Sequence, residues 1–407
     1  MKIKRNLQLR LASTWLLGVL LLLGPAGLPF PFSLAMTVHA ERVEQQLAMP
    51  SPPGNYAESA ALIDVSSGRL LYSKEGNKRM RVASLTKIMT AIVAIEHGDL
   101  KSQVKVSKNA FGKEGSSLFL KLGEEMLLEH MLYGLMLRSG NDAATAIAEH
   151  VGGSEEGFVL LMNEKAAELG MTGSHFMNPH GLDHDEHYST ANDMAKLTAY
   201  ALHNPDFAEI VKTEVKKAPN PNESWDYKWS NKNKMLHLYE GADGVKTGYT
   251  KKALRCLVSS ATRNGQQLAV VTLNDGNDWN DHGKLLDYGF EHFQLHQLIQ
   301  EGQAVQGQPL KAGNRFAYAL LPAEQALVKN KLVLHKAVEP DLSFGRRGYI
   351  ELSLHGEVIG RVPVYEEGSL IPKEQQDEEH ARETWHQTEK QGFLRSAGIV
   401  LRKFLGD

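Results

Sequence analysis

The chain has 407 residues, 42% of them hydrophobic and 23% charged, which suits two or three globular domains and argues against long disordered stretches. Lys and Arg number 45 against 48 Asp and Glu, a net charge of -3, so the composition offers no basic face of the kind that nucleic acid requires. The single cysteine, Cys256, excludes an internal disulfide and a cysteine-rich metal module.

The first 40 residues predict a secretory signal peptide. A basic start is followed by an apolar run over residues 11–23, and Val38-His39-Ala40 supplies small residues two apart, as signal peptidase requires. We therefore expect the mature chain to begin at Glu41, outside the cytoplasm. The alternative is an uncleaved N-terminal anchor, because apolar residues persist as far as Val38.

A hairpin and a helical block come next. Residues 60–64 and 70–72, on either side of Ser66-Ser67-Gly68, predict two paired strands. Residues 84–97 predict a buried helix that Gly98 stops, because apolar side chains cover most of its circumference. Further helices are predicted over residues 124–138, 142–150, 155–169 and 191–202.

The hydrophobic period changes after Gly241. Residues 245–247, 256–261 and 268–273 predict strands, the last two joined by a hairpin turn at Asn264-Gly265, and residues 281–300 predict a helix. Because strands from both ends of this region flank the helical block, we expect one antiparallel sheet that both ends close. The predicted domain, residues 41–300, is thus of the α+β class.

The rest of the chain predicts three further segments. Short alternating patterns at residues 315–320, 349–354 and 358–364 predict a small all-β domain over residues 301–372. A polar linker over residues 373–391 leads to an amphipathic helix over residues 392–407, with Arg395, Arg402 and Lys403 opposite its apolar side. This helix suits the surface of an anionic membrane, and the alternative is a terminal helix packed on its own protein.

Ser84-Leu85-Thr86-Lys87 opens the predicted buried helix and places a hydroxyl and an amine one turn apart on the same face. The helix dipole favours an attacking alkoxide at this end. Lys87 can act as a base only if it is neutral, and burial or a second ammonium group nearby would lower its pKa accordingly. The same spacing at Ser102 and Lys105 falls in a strand pattern, where the two side chains would point to opposite faces.

Two further tripeptides could face the same cleft. Ser139-Gly140-Asn141 lies between two predicted helices, where a short loop can present a hydroxyl and an amide, although alone it could equally be a C-cap followed by an N-cap. Lys246-Thr247-Gly248 falls on a predicted strand, where Gly248 would let a substrate backbone approach closely. Each is common by itself, whereas the three motifs in this order, on helix, loop and strand, are a specific signal.

On these three motifs the chain resembles the low-molecular-weight penicillin-binding proteins, which are serine-type D-alanyl-D-alanine carboxypeptidases, over nearly all of residues 41–407. Residues 178–182 and 277–282 are most similar to the sporulation-associated type. The resemblance implies the penicillin-binding transpeptidase and β-lactamase-like fold, and an exported enzyme on the outer face of the cytoplasmic or forespore membrane. It implies removal of the terminal D-Ala from peptidoglycan stem pentapeptides, and β-lactams as covalent inhibitors.

The resemblance also implies a role for each matching residue. Ser84 would be the acylated nucleophile, Lys87 its proton acceptor, and Ser139 a proton relay. Residues implied to bind the substrate or its oxyanion are Asn141, Lys246, Thr247, Gly248 and Tyr249. Among these, Asn141 would hold the substrate amide and Thr247 would meet the terminal carboxylate, while the backbone N–H groups of Ser84 and Tyr249 would form the oxyanion hole.

One departure from the family pattern leaves alternatives open. Many relatives carry an arginine shortly after the last sheet strand to bind the substrate carboxylate, whereas residues 278–282 contain none, so carboxylate binding would rest on Thr247 and Lys246. A catalytically poor wall-binding protein, with the β domain doing the binding, is one alternative. A β-lactamase on the same scaffold is another, although nothing after Asn141 resembles the Glu-x-x-Leu-Asn motif that such enzymes use.

The loop over residues 175–187 holds four histidines and three acidic residues, dense enough to suggest zinc. These residues lack helical placement and part of the loop already matches the serine family, so we expect no metal site and no cofactor. Cys256 lies in a strand pattern and is expected to be a small buried hydrophobe rather than a nucleophile.

Overall fold

The computed structural model describes residues 49–335 and 345–369 of the chain. Its strands are β1 (Ser59–Asp64), β2 (Leu70–Lys74), β3 (Gln103–Lys105), β4 (Glu125–Leu127), β5 (Val215–Ala218), β6 (Tyr227–Ser230), β7 (Ala242–Thr250), β8 (Leu254–Arg263), β9 (Gln266–Leu273), β10 (Gln294–Ile299), β11 (Leu310–Ala312), β12 (Phe316–Leu320), β13 (Lys329–Leu334), β14 (Arg346–Leu354) and β15 (Glu357–Glu366). Its α-helices are α1 (Thr86–His97), α2 (Leu128–Tyr133), α3 (Asn141–Gly152), α4 (Glu155–Glu168), α5 (Ala191–Leu202), α6 (Pro205–Lys212), α7 (Met235–Leu238) and α8 (Asp278–His292).

A five-stranded antiparallel sheet, in the order β2-β1-β9-β8-β7, joins sequence-distant parts of the chain. Strand β1 lies between β2 and β9, with Leu62 opposite both Tyr72 and Val270. The N-terminal hairpin therefore completes a sheet whose other three strands lie about 200 residues later in the sequence. This arrangement confirms the predicted α+β fold with one sheet closed by both ends of the domain.

The sheet is covered on both faces. All six residues of β1 are buried, and their side chains alternate between the two sides: Ala61 and Ile63 belong to the core under the helical block, whereas Ala60 and Leu62 belong to the core under α8. Helix α1 runs through the first core with nine buried residues, which is why its sequence is apolar on nearly every side. The predicted burial of this helix is confirmed.

The C-terminal strands form a four-stranded antiparallel sheet in the order β11-β15-β14-β13, with a third core. Beside it, β10 pairs with β12, and Ala319 of β12 packs in the core under α8. Arg69 of the loop between β1 and β2 pairs with both oxygens of Glu324 and donates to the carbonyl of Ala319 at 2.7 Å. These contacts attach the C-terminal strands to the central sheet.

Several predicted elements are present as expected. The hairpin at the start, the helix over residues 191–202 and the strands over residues 349–354 and 358–364 all occur. Asn264 and Gly265 join β8 to β9 with positive φ angles of 51° and 79°, the backbone that a tight two-residue hairpin needs.

Two predicted helices are wrong in part. The helix over residues 281–300 ends at His292, and residues 294–299 form β10, because pairing with β12 stabilises an extended backbone there. The helix over residues 124–138 begins only at Leu128, since Glu125–Leu127 pairs with β3, and it closes with a π-helical turn over Gly134–Arg138.

The predicted signal peptide, polar linker and amphipathic terminal helix lie outside the described residues. Within residues 49–335 and 345–369, no helix is long and apolar enough to cross a membrane.

Helix α4 supplies a test of the helical core. Phe158 is fully buried in that core, whereas Leu160 on the same helix is largely exposed. We expect Phe158→Ala to lower the free energy of unfolding by about 3–5 kcal/mol, because truncation leaves a cavity. Leu160→Ala, the matched control, should change it by about 0.5 kcal/mol or less. Urea denaturation of both variants measures the difference, and equal effects would contradict the packing described.

Candidate active site

A cleft of about 560 Å³ opens between the helical block and strand β7. Its described lining comes from seven stretches of chain: Ser84, Ser116, Ser139, Lys232, Thr247, Gly248, Tyr249, Arg255, Cys256, Asp278 and Trp279. All three predicted motifs therefore contribute a residue to one cavity. The second match to the first motif does not, because Ser102 and Lys105, before and at the end of β3, are not part of this lining.

Ser84 lies in a short 3₁₀ turn, Ala83–Leu85, directly before α1 rather than in the α-helix itself. Ala83 has a φ of 48°, a left-handed backbone that an L-residue adopts only at a cost. Two glycines let neighbouring segments pack against this turn: a Cβ at Gly181 would clash with the carbonyl of Ala83, and a Cβ at Gly248 would lie 3.2 Å from the Ser84 nitrogen. The turn is thus clamped between the loop before α5 and strand β7.

The amine of Lys87 is the centre of the site. It lies 3.1 Å from the Ser84 hydroxyl oxygen, and it donates to Asn141 Oδ1 at 2.7 Å and to the His180 carbonyl at 2.6 Å. A neutral amine has two N–H groups and one lone pair. Since the amide and the carbonyl oxygens accept both N–H groups, the lone pair of a neutral Lys87 would face the Ser84 hydroxyl.

Burial makes the neutral form of Lys87 accessible. Loss of water lowers its pKa well below the ordinary lysine value, and the positive charges of Lys246 and Lys232 lower it further, while Asp142 acts weakly the other way. Lys246 is itself buried. Its burial, and to a lesser extent the positive charge of Lys232, lower its pKa to about 7. This environment agrees with the prediction that burial and a second amine would lower the pKa of Lys87 and favour its neutral form.

Asn141 is oriented from two sides. It is the first residue of α3, and its Nδ2 donates to the Glu114 carbonyl at 2.6 Å, which leaves Oδ1 facing Lys87. Its backbone N–H donates to Ser116 at 2.7 Å, so the same residue also holds the loop that lines the cleft. Gly140, not Asn141, occupies the N-cap, and the amide is thereby free to serve the site.

Ser139 lies between the π-helical turn and α3 with a φ of 67°. The residue is only 4% exposed, and its hydroxyl has no hydrogen-bond partner within the described part of the chain, although the residue lines the cleft. An unpartnered buried hydroxyl at this place can accept and pass on a proton.

Strand β7 forms the opposite wall. Lys246 is 1% exposed and donates to the Thr247 carbonyl at 2.8 Å, so its amine lies under the strand. Thr247 and Gly248 face the cleft, and Tyr249 is mostly exposed at its edge. All eight predicted site residues therefore lie in the cleft or are bonded directly to groups that line it.

The sequence did not single out several residues that lie here. Lys232 follows β6, and its backbone N–H donates to Leu137, which places it beside the Ser139 loop. Arg255 and Asp278 also line the cleft, and they form an ion pair. None of these residues belongs to a local motif, because strand register and loop packing bring them to the site.

The histidine-rich loop serves packing. His187 contacts Thr86 Oγ1 through Nε2 at 2.8 Å and accepts from Met177 through Nδ1, and burial lowers its pKa to about 3. His180 accepts from Leu182 through Nδ1 and lies near Glu155. In the described residues, no three His, Cys, Asp or Glu side chains are grouped as a metal site would need.

Cys256 is 1% exposed, in agreement with the expected small buried side chain. Burial raises the pKa of its thiol to about 12, so the thiolate is not available as a nucleophile near neutral pH.

Comparison with known proteins identifies the family. Residues 46–277 match the D-alanyl-D-alanine carboxypeptidase family of peptidases. The chain is 33% identical over 377 residues to D-alanyl-D-alanine carboxypeptidase DacF of Bacillus subtilis, covering 87% of this chain and 93% of the relative. It is also 33% identical over 366 residues to DacC of Escherichia coli, covering 83% and 89%.

Solved structures agree with this. Penicillin binding protein 5 of Haemophilus influenzae superposes with a TM-score of 0.66 at 27% identity, covering 79% of this chain and 99% of that one. The carboxypeptidase DacD of Francisella tularensis gives a TM-score of 0.61 at 25% identity, covering 80% and 96%. The resemblance read from the three motifs is confirmed: the chain belongs to the D-alanyl-D-alanine carboxypeptidase family of serine peptidases.

Proposed function

We propose that Ser84 is the nucleophile through which this enzyme removes the terminal D-Ala from peptidoglycan stem pentapeptides. The observation that carries this is the 3.1 Å approach of the Lys87 amine to the Ser84 hydroxyl, with both remaining N–H groups accepted by Asn141 and the His180 carbonyl. This arrangement suits removal of the hydroxyl proton by an uncharged amine.

Acylation proceeds in two proton transfers. Lys87 takes the Ser84 proton while Oγ attacks the carbonyl carbon of the penultimate D-Ala, and the backbone N–H groups of Ser84 and Tyr249 stabilise the oxyanion. The C–N bond then breaks, and the Ser139 hydroxyl passes the proton from Lys87 to the leaving nitrogen, which departs as D-Ala. Water then attacks the ester carbonyl, returns a proton to Ser84 Oγ and releases the shortened peptide.

The remaining predicted residues position the substrate. Asn141 already directs its amide toward Lys87, and it holds the amide of the donor peptide as well. Lys246 supplies positive potential below β7, Thr247 meets the terminal carboxylate, and Gly248 admits the peptide backbone beside the strand.

A β-lactamase activity is disfavoured by the lining of the cleft. Rapid hydrolysis of a penicilloyl enzyme uses a carboxylate that activates water. Among the described lining residues the one carboxylate is Asp278, which is engaged by Arg255. Glu155 on α4 is bound by Lys113 and Asn109 and lies outside the lining. We therefore expect the penicilloyl adduct to be long-lived.

The proposal extends to the segments that flank the enzyme. Residues 1–40 direct export and are removed, residues 41–300 form the catalytic domain and residues 301–372 the β domain, and the linker over 373–391 lets the helix over 392–407 lie on the outer face of the membrane. In this position the enzyme trims stem peptides during cell-wall or spore-cortex maturation.

The nucleophile is tested with two serine variants of the protein lacking residues 1–40. We expect Ser84→Ala to abolish both release of D-alanine from diacetyl-Lys-D-Ala-D-Ala and the covalent penicillin adduct, because among the described residues the Ser84 hydroxyl is the one that contacts the Lys87 amine. Ser102→Ala, the matched control from the second Ser-x-x-Lys sequence, should retain both. Intact-mass spectrometry and a D-alanine assay provide the measurements.

An adduct that persists in Ser84→Ala would contradict the assignment. Fast turnover of penicillin by the unaltered enzyme would instead support the β-lactamase alternative.

The charges in the cleft predict that removing Lys232 changes the pH dependence of the acylation rate. Acylation needs neutral Lys87, so its rate constant should rise with pH as this amine loses its proton. Because the charge of Lys232 lowers the pKa of both Lys87 and Lys246, Lys232→Met should raise both pKa values and move the acidic limb of the profile to higher pH. The pH dependence of penicillin acylation, followed by stopped-flow, measures this limb.

Lys228→Met is the control, since Lys228 lies exposed on β6 outside the cleft lining. A lower plateau in Lys232→Met with an unmoved limb would show that Lys232 acts in binding rather than on the base.

Membrane attachment is tested by truncation. The chain over residues 41–407 should co-sediment with vesicles that contain anionic lipid and be released by high salt, whereas residues 41–391 should remain in the supernatant with undiminished penicillin binding. Equal sedimentation of the two proteins would refute attachment through the terminal helix.

A further inference from the structure

Arg255 is a cleft residue to which neither the motifs nor the family assigns a function here. It lies on β8 opposite Tyr249 of β7, in the register that also places Leu257 opposite Thr247. It lines the same cavity as Ser84, Thr247 and Gly248, and its side chain is 46% exposed. A guanidinium group is thus presented to the space beside the nucleophile.

Asp278 fixes the orientation of this guanidinium. Arg255 donates through Nε to one carboxylate oxygen at 3.0 Å and through Nη2 to the other at 2.5 Å. The carboxylate is 6% exposed and also accepts the backbone N–H of Trp279, and the Trp279 ring centroid lies 5.9 Å from the guanidinium carbon. A two-point ion pair of this kind holds a planar group in one direction.

One edge of the guanidinium remains available. Within the described residues Nη1 of Arg255 makes no hydrogen bond, whereas Nε and Nη2 are both engaged. Asp278 therefore orients the group without using all of its donors. Such an edge, beside an exposed strand end, suits an incoming carboxylate.

The two buried lysines of the site, Lys87 and Lys246, are poorly suited to hold an anion at neutral and higher pH. Burial lowers the pKa of Lys87, of Lys246 to about 7, and of Lys232. The ion pair with Asp278 instead raises the pKa of Arg255, so this group stays charged throughout the range in which Lys87 can act as a base. Lys232 and Arg255 are the two basic residues of the described lining, and Arg255 is the one whose pKa is raised rather than lowered.

We propose that Arg255, oriented by Asp278, binds the terminal carboxylate of the donor peptide through Nη1 and so selects peptides that end in a free acid. The inference rests on the proposed function, since it requires that the peptide's last residue lies between Thr247 and Trp279. It gives the enzyme its own carboxylate-binding cation, on β8, where residues 278–282 supply none.

The test compares two substrates that differ only at the carboxylate: diacetyl-Lys-D-Ala-D-Ala and its C-terminal amide. With the unaltered enzyme we expect the acid to be cleaved with the higher kcat/KM. In Arg255→Gln this acid-to-amide ratio should fall by roughly tenfold to a hundredfold, because a charge-assisted contact is lost for one substrate and not for the other. Arg255→Lys should restore part of the ratio, since it keeps the charge but not the two-point geometry.

Arg263→Gln is the matched control. Arg263 ends the same strand and also pairs with an aspartate, Asp287, but it lies outside the cleft lining. Its acid-to-amide ratio should equal that of the unaltered enzyme. Formation of a penicillin adduct at saturating penicillin shows that each variant is folded.

The outcomes separate this inference from the proposed function. If the unaltered enzyme releases no D-alanine from the acid, both are overturned. If it releases D-alanine and Arg255→Gln keeps the ratio, or slows both substrates equally, the carboxylate assignment alone is overturned and Arg255 has only a structural role.

Discussion

The site depends on a buried lysine amine that has no carboxylate partner in the part of the chain that the structure describes. An ammonium group in such a place would ordinarily be paired, because burial of an isolated charge is costly. Lys87 instead meets an amide oxygen, a backbone carbonyl and a hydroxyl. The nearby Asp142 is turned away, since its oxygens accept the backbone N–H groups of Leu118 and Leu120. Had Asp142 reached the amine, the carboxylate would have stabilised the ammonium form, and Lys87 could not serve as the proposed base.

The architecture around Lys87 preserves this arrangement. Helix α1 is fixed between the sheet and the helical block, so the amine cannot move toward water without opening a core. The two groups that accept its N–H bonds come from different segments, the start of α3 and the loop containing His180. Asp142 ties the first of these to the loop at Ser117, and Gly181 lets the second lie against the nucleophile turn. Rigidity here maintains the position of a lone pair, not merely the stability of the fold.

Local sequence was sufficient for the motifs and for most elements, because Ser84 and Lys87 are one helical turn apart and the strands carry clear patterns. It failed where tertiary pairing decides the backbone, as at β4 and β10, whose residues read equally well as helix until a partner strand is known. It also failed for groups without a local signature. The His180 carbonyl is a backbone atom, and Lys232 and Arg255 become site residues only through loop packing and strand register. Three motifs thus predicted which residues meet at the cleft, while the surrounding charges required the three-dimensional structure.

The division of charge across the cleft follows from what a base of this kind requires. An amine that must lose its proton near neutral pH cannot also be the cation that holds the substrate carboxylate, since the same deprotonation would release the anion. The positive charges of Lys246 and Lys232 lower the pKa of Lys87 and so favour its neutral form. Both neighbours are lysines, which can themselves lose a proton. A guanidinium does not titrate in this range, and Arg255 is held in the cleft lining by Asp278. A permanent charge at Arg255 separates substrate recognition from proton transfer, because an approaching carboxylate is drawn to Arg255 and not to Lys87. A negative charge beside Lys87 would raise the pKa of its amine and restore its proton.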